Sequence, residues 1–189
     1  PFKRYQIQPV WRADRPQKGR YREFYQCDAD IVGSDSLLNE VELTAIYLTV
    51  FKELQLDVEV KMNNRKILLG LAQVCGGADK MIDLTIAIDK LDKIGWEKVA
   101  EELERKGFTA AQQKTIQAYL EITGTNASKL TQLGHLLNGN ENAAKGIEEI
   151  QYVLDYHTQS GLAKNLVADF TLARGLNYYT GLIFEVKAI

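Results

Sequence analysis

The stretch RADRPQKGRYREFYQCDAD, residues 12 to 30, sets Arg12, Arg15, Lys18, Arg20 and Arg22 ahead of Phe24, Gln26, Asp28 and Asp30. Side chains alternate across a strand, so a regular strand would project Arg20, Arg22, Phe24, Gln26, Asp28 and Asp30 from one face. That face runs from cation, through a flat ring, to amide and carboxylate. A ligand lying along it would carry phosphate, an aromatic ring and an amine, in that order. The planar guanidinium fork binds two phosphate oxygens at once and stays charged. Phe24 offers the kind of plate on which nucleobases stack. Gln26 and Asp30 would hold an ammonium group by charge and direction, so a nucleotide joined to an amino acid fits the whole face. The plainer alternative is a solvated basic tip above packed aromatics. A P-loop is excluded, because QKGR lacks the Gly-x4-Gly-Lys-Ser/Thr pattern.

The elements that must carry these residues are legible from periodicity. YQIQPVW (5–11) and RYREFYQCDADIVG (20–33) read as strands joined by ADRPQKG, whose Pro16 and Gly19 supply turn chemistry. Together they form a long antiparallel hairpin with a basic tip. Leu37, Leu38, Val41, Ala45, Leu48 and Phe51 then recur at helical spacing, with Ser36 as expected N-cap. DVEVKMN (57–63) alternates again, and Asn63 and Asn64 are expected to end that strand. RKILLGLAQVCG, DKMIDLTIAIDKLDKIGWEKVAEELERKG, TAAQQKTIQAYLEIT and SKLTQLGHLL read as amphipathic helices broken at glycines. GIEEIQYVLDYHTQSG (146–161) is one more helix, closed by Gly161. NLVADFTLARGLNYYTGLIFEVKA returns to strand composition with a kink at Gly175. The expected fold is α+β: a core of 1–65 and 144–189 interrupted by a helical insertion at 66–143.

Composition narrows the function classes. A hydrophobic share of 46%, a charged share of 25% and a net charge of −2 describe an ordinary globular chain. A chain-wide polyanion footprint is excluded, so any such site is local to the first 22 residues, where Lys3, Arg4, Arg12, Arg15, Lys18, Arg20 and Arg22 face only Asp14. Cys27 and Cys75 form neither a disulfide framework nor a zinc spacing. No apolar run approaches membrane length, and a cytoplasmic setting is expected. The chain opens at PFKRYQI and closes at LIFEVKAI, both strand-like, as a piece excised from a longer protein would.

VWRADRPQKGRYREFYQCDADIVG closely resembles motif 2 of the class II aminoacyl-tRNA synthetases, in its histidyl-tRNA synthetase form. LARGLNYYTGLIFE resembles the histidine-binding signature of the same family. KMNNRKILLGLAQVCG and DKLDKIGWEKVAEEL are similar to its insertion region, and the likeness spans essentially the whole chain. The resemblance implies a fragment of the class II antiparallel-sheet core carrying a helical insertion. It implies that Arg12 contacts the ATP α-phosphate and the substrate carboxylate, with Arg20 and Arg22 assisting ATP and Phe24 stacking on adenine. Gln26 and Asp30 would bind the histidine amino group, where many members carry glutamate in place of Asp30. Arg174 matches the catalytic arginine opposite Arg12, Tyr178 and Tyr179 the tyrosines of the imidazole pocket. Arg15, Gln17 and Lys18 would touch the acceptor end of tRNA(His). ATP is the implied substrate with Mg2+, no side chain here is an expected metal ligand, and the parent is an expected homodimer without membrane contact.

Attack of a carboxylate on the α-phosphate joins two anions, so fixed cations on both sides are the main resource, each worth about 3–4 kcal/mol in the transition state. Hydrogen bonds to imidazole reject analogues lacking that edge by roughly 10⁴-fold, which makes proofreading unnecessary. One departure stands out: Asn177 replaces the aspartate of the family's Arg-Gly-Leu-Asp-Tyr-Tyr. Motif 1, the acidic reader of imidazole, motif 3 and the anticodon-binding domain have no match here, so the fragment alone is expected not to form histidyl-adenylate. A histidine-sensing paralogue, of the kind that regulates ATP phosphoribosyltransferase, is the alternative, though a regulator has no use for the RPQKGRYREF tip. A stand-alone RNA-end binder fits the acidic remainder of the chain poorly. His135 and His157 are expected in ordinary surface or core roles, Trp11 and Trp96 in packing, EKVAEELERKG on a solvated face, and Cys27 turned away from the site.

Overall fold

The computed structural model describes residues 1–174 and 178–189. Strands β1 (Phe2–Trp11) and β2 (Glu23–Val32) form an antiparallel ribbon in which Gln8 faces Gln26 and Val10 faces Phe24. Helix α1 (Leu38–Glu53) leads into β3 (Val58–Asn64). Six helices follow: α2 (Arg65–Val74), α3 (Met81–Ile88), α4 (Leu91–Arg105), α5 (Ala110–Leu120), α6 (Asn126–Leu136) and α7 (Glu141–Gln159). Short 3-10 turns lie at Ala78–Lys80 and Ala163–Asn165, and the short β4 (Leu166–Ala168) and β5 (Leu182–Ala188) complete the described elements. The arrangement is α+β, as expected from the alternation of periods.

β3 is the centre of the second sheet, parallel to β4 and antiparallel to β5. Its Val58, Val60 and Met62 are buried, whereas Lys61 on the other face pairs with Asp169 at 2.6 Å. α7 lays Ile150, Val153, Leu154 and His157 into the core at helical spacing. Its N-terminal half approaches α2 closely, because small residues meet there. A Cβ on Gly70 would come within 2.9 Å of the Ala143 Cβ, and one on Gly146 within 2.7 Å of the Ile67 Cγ1. One apolar cluster runs from β3, β4 and β5 through α2 and α7 to Leu84, Val99, Leu103, Ile116, Tyr119 and Leu133 of α3–α6.

Several expected boundaries move, each for a local reason. α1 is capped by Leu37, and Ser36 contributes only its hydroxyl, which accepts from the Leu38 N–H at 3.3 Å. α7 starts at Glu141, earlier than the glycine at 146, because the Asn140 side chain accepts from the Ala143 N–H. α4 breaks at Gly95, whose φ of 75° leaves the helical region. β2 begins at Glu23, so Arg20 and Arg22 belong to the tip. The kink expected at Gly175 lies outside the described residues. No helix among the described residues is long and apolar enough to cross a membrane.

Candidate nucleotide and amino-acid site

The ribbon's register decides which side chains share a face. Phe24, Gln26, Asp28 and Asp30 stand opposite Val10, Gln8, Gln6 and Arg4, and these four β2 residues are the half-buried ones of the Glu23–Asp30 run. At the top of this face the Arg12 guanidinium lies over the Phe24 ring, 5.0 Å from its centroid. Its Nη2 donates to the Gln26 Oε1 at 2.7 Å, and the Gln26 amide donates in turn to both Asp28 oxygens at 2.8 and 2.9 Å. Asp30 is held elsewhere, accepting from the Arg4 Nε at 2.8 Å. Cation, ring, amide and carboxylate adjoin on this face, but the cation is Arg12, in place of Arg20 and Arg22, and the acid beside Gln26 is Asp28. Cys27 is exposed and turned to the opposite face.

The tip is organised by Asp14. Arg20 pairs with its carboxylate at 2.8 Å, and the Arg22 Nε donates to its carbonyl at 3.3 Å. The extrapolation that set Arg20 and Arg22 on the Phe24 face therefore fails, because strand alternation stops at Glu23. Gln17 and Arg20 exchange backbone hydrogen bonds around Lys18 and Gly19, with Gly19 at φ 78° in the left-handed position of the turn. Arg15, Gln17 and Lys18 stand exposed at the extremity.

A third segment brings the second arginine. Arg174 Nη1 lies 3.5 Å from the Glu185 Oε2 on β5. A hydrogen bond with Tyr179 and the nearby carboxylates of Glu185 and Asp89 raise the pKa of its guanidinium. Tyr178 and Tyr179 stack obliquely with centroids 4.5 Å apart, and the Tyr178 hydroxyl donates to that of Tyr179 at 3.4 Å. This bond, together with Arg174, pulls the Tyr179 phenol below its usual pKa, whereas it pushes Tyr178 up. Both Arg174 and Arg12 act electrostatically on Tyr178, lowering what the first bond raises. Arg174 also lines a polar cleft of about 340 Å³ together with Lys61, Asp89, Asp92, Asp169 and Glu185. Asn177 lies outside the described residues.

The sequence reading missed Arg4, Asp14, Asp28 and Glu185 as partners of the candidate side chains. Parity already put Asp28 beside Gln26, and the alternation of LIFEVKA could have separated Glu185 from the core. Asn63 and Asn64 do close β3, yet both are fully buried and do more. Asn63 donates to Leu172 O at 2.9 Å and to the Tyr119 hydroxyl at 3.1 Å. Asn64 caps α2 and donates to Glu149 at 2.7 Å. Nothing local in the sequence marks those partners.

Comparison with known proteins bears on the whole chain. A family model described as histidyl-tRNA synthetase matches residues 3–188. A histidine–tRNA ligase of Bacteroides fragilis is 59% identical over 189 residues, covering 100% of this chain and 42% of the relative. That of Porphyromonas gingivalis is 56% identical, with the same coverage. A crystal structure of histidyl-tRNA synthetase from Nostoc superposes with a TM-score of 0.88 at 34% identity, over 98% of this chain and 44% of the other. A Bacillus halodurans protein titled as an ATP phosphoribosyltransferase regulatory subunit/histidyl-tRNA synthetase shares the fold, with a TM-score of 0.83 at 18% identity. The chain thus spans less than half the length of these relatives, and with the family model matched from its first strand to its last, through both arginine-bearing segments, it belongs to the histidyl-tRNA synthetase family.

Proposed function

We propose that this chain supplies the motif 2 ribbon, a helical insertion at 66–143 and the histidine-signature loop of a histidine–tRNA ligase. The single observation that carries the reading is the arrangement around Arg12: a guanidinium over the Phe24 ring and hydrogen-bonded to Gln26. In the whole protein the histidine carboxylate attacks the ATP α-phosphorus, the α–β phosphoanhydride bond breaks and pyrophosphate leaves, and the charge that builds on the phosphoryl oxygens meets Arg12 and Arg174. Phe24 stacks on adenine once Arg12 swings from its ring to the phosphate. Gln26 takes the histidine amino group with Asp30, or with Asp28, which is nearer here. Tyr178 and Tyr179 border the imidazole, and Arg15, Gln17 and Lys18 meet the acceptor end of tRNA(His). Magnesium comes with the phosphates of ATP. The parent works in the cytoplasm as a homodimer.

The test is histidine-dependent exchange of pyrophosphate into ATP by the full-length protein, followed by charging of tRNA(His). A ligase does both. A histidine-sensing paralogue binds histidine and does neither, and that outcome would replace this reading. The isolated 189-residue chain is expected to show no exchange.

A further inference from the structure

We propose that Arg65 is a positioning residue that sets Arg174 by clasping both ends of the loop in which Arg174, Tyr178 and Tyr179 lie. This rests on the ligase reading of that loop. Arg65 opens α2 directly after β3 and is only 5% exposed. Its backbone N–H donates to Gly181 O at 2.9 Å, at the loop's exit into β5. Its guanidinium Nη1 donates to Arg174 O, also at 2.9 Å, at the loop's entry. One residue therefore bridges the two ends through two bonds, one from its main chain and one from its side chain.

The neighbouring residues explain why this anchor is stiff. Asn63 holds the approach to the loop through Leu172 O, and Asn64 caps α2 while tied to Glu149, itself paired with Lys66. Asn63 and Arg65 thus hold the returning chain at Leu172, Arg174 and Gly181, while Asn64 between them ties the start of α2 to α7. The cost is visible on Arg65. Burial lowers the pKa of its guanidinium, and its buried Nε has no hydrogen-bond partner among the described residues. A buried cation with no carboxylate partner there is costly to keep as packing alone, since an apolar side chain of similar volume would serve at least as well. Its fork, however, reaches a carbonyl that an apolar residue would leave loose. Because the Arg174 side chain must meet a charge that develops in the transition state, a small displacement of its backbone lowers turnover more than binding.

Arg65→Met removes the fork and keeps the main-chain bond; Arg65→Lys keeps the charge without the planar geometry. In the full-length protein, Arg65→Met should lower kcat for histidine-dependent pyrophosphate exchange by roughly 10- to 100-fold, with the KM for ATP within about threefold. Arg65→Lys should recover part of the loss. In an Arg174→Ala background either substitution should cost less than about twofold further, since the residue acts through Arg174. Equal losses in both backgrounds, or an unchanged kcat, overturn the proposal; if Arg65→Met fails to fold, the Arg65→Lys cycle decides on the same criteria. Amide exchange reads the clasp without activity: exchange at residues 178–181 should rise in the variants while α2 and α7 keep their protection. Unchanged amide exchange there overturns it; faster amide exchange in the variants of a protein whose unsubstituted form lacks pyrophosphate exchange overturns the ligase reading and leaves the clasp standing.

Discussion

At the scale of single residues, Arg12 and Phe24 share one surface. The guanidinium lies over the ring, so on the proposed reading adenine can stack on that face only once Arg12 has moved to the phosphate. Base–aromatic stacking contributes about 1–3 kcal/mol, so Phe24→Ala should raise the KM for ATP by about 5- to 100-fold in the full-length protein. Pyrophosphate exchange at saturating ATP should change much less. Equal loss of kcat at saturation would mean that Phe24 shapes the ribbon more than it holds the base. The chemistry of this face was legible in the sequence because a strand's parity is a strict rule: Phe24, Gln26, Asp28 and Asp30 adjoin as the period of two requires. Parity says nothing about which acid pairs with which cation, and the choice of Arg4 for Asp30 follows from their facing positions in the register.

Elements carry the next level. The tip beyond Trp11 and Glu23 is a turn built around Asp14, with Arg15 and Lys18 free to meet a phosphate backbone. Replacing both by alanine should weaken binding of tRNA(His) and flatten its salt dependence by roughly two in log–log slope, leaving pyrophosphate exchange intact. An unchanged salt slope would take the tip away from the tRNA. The seam between α2 and α7 makes a stability prediction. Gly146→Ala would set its Cβ 3.0 Å from the Ile67 backbone nitrogen, an atom that a helix start cannot move. A loss of about 1–3 kcal/mol follows, seen as a lower midpoint in urea with little change in slope. Such seams are hard to read from sequence: the helices are evident from their period, but nothing in GLAQ or KGIE says that the two glycines face each other's helix. Asn63 and Arg65 were hidden for a related reason. Consecutive polar residues at a strand's end look like a turn, and their partners sit more than a hundred positions away.

For the molecule as a whole, the core joins the sheet to the helices of the 66–143 segment without a break, and His157 lies inside it. Both ring nitrogens are buried without a hydrogen-bond partner among the described residues. Burial lowers the pKa of this imidazole from its usual 6.5. The neutral form is thus preferred in the folded state. Its contribution to stability is fully present above pH 6.5 and is lost as the pH falls toward the depressed folded value, because the unfolded chain then binds the proton more readily. Glu40 works in the other sense: burial, and then Glu149, raise the pKa of its carboxyl, which favours folding at low pH. Urea unfolding at pH 7.5 and 5.5 separates the two. His157→Leu should flatten the loss of stability seen between these values in the unsubstituted chain; an equal loss in both would place the acid sensitivity elsewhere. The overall architecture was legible because hydrophobic period changes at each element.

The central claim is that Arg12 and Arg174, far apart in sequence, face one α-phosphate. Its most direct measurement is isothermal titration of a non-hydrolysable histidyl-adenylate analogue into the full-length protein, unsubstituted and as Arg12→Ala, Arg174→Ala and the double variant. Each single substitution should weaken binding by roughly 10-fold or more, as for a lost charge-assisted hydrogen bond, and the pair should depart from additivity because both cations meet the same group. Binding that ignores either arginine, or two losses that simply add, would contradict the shared site.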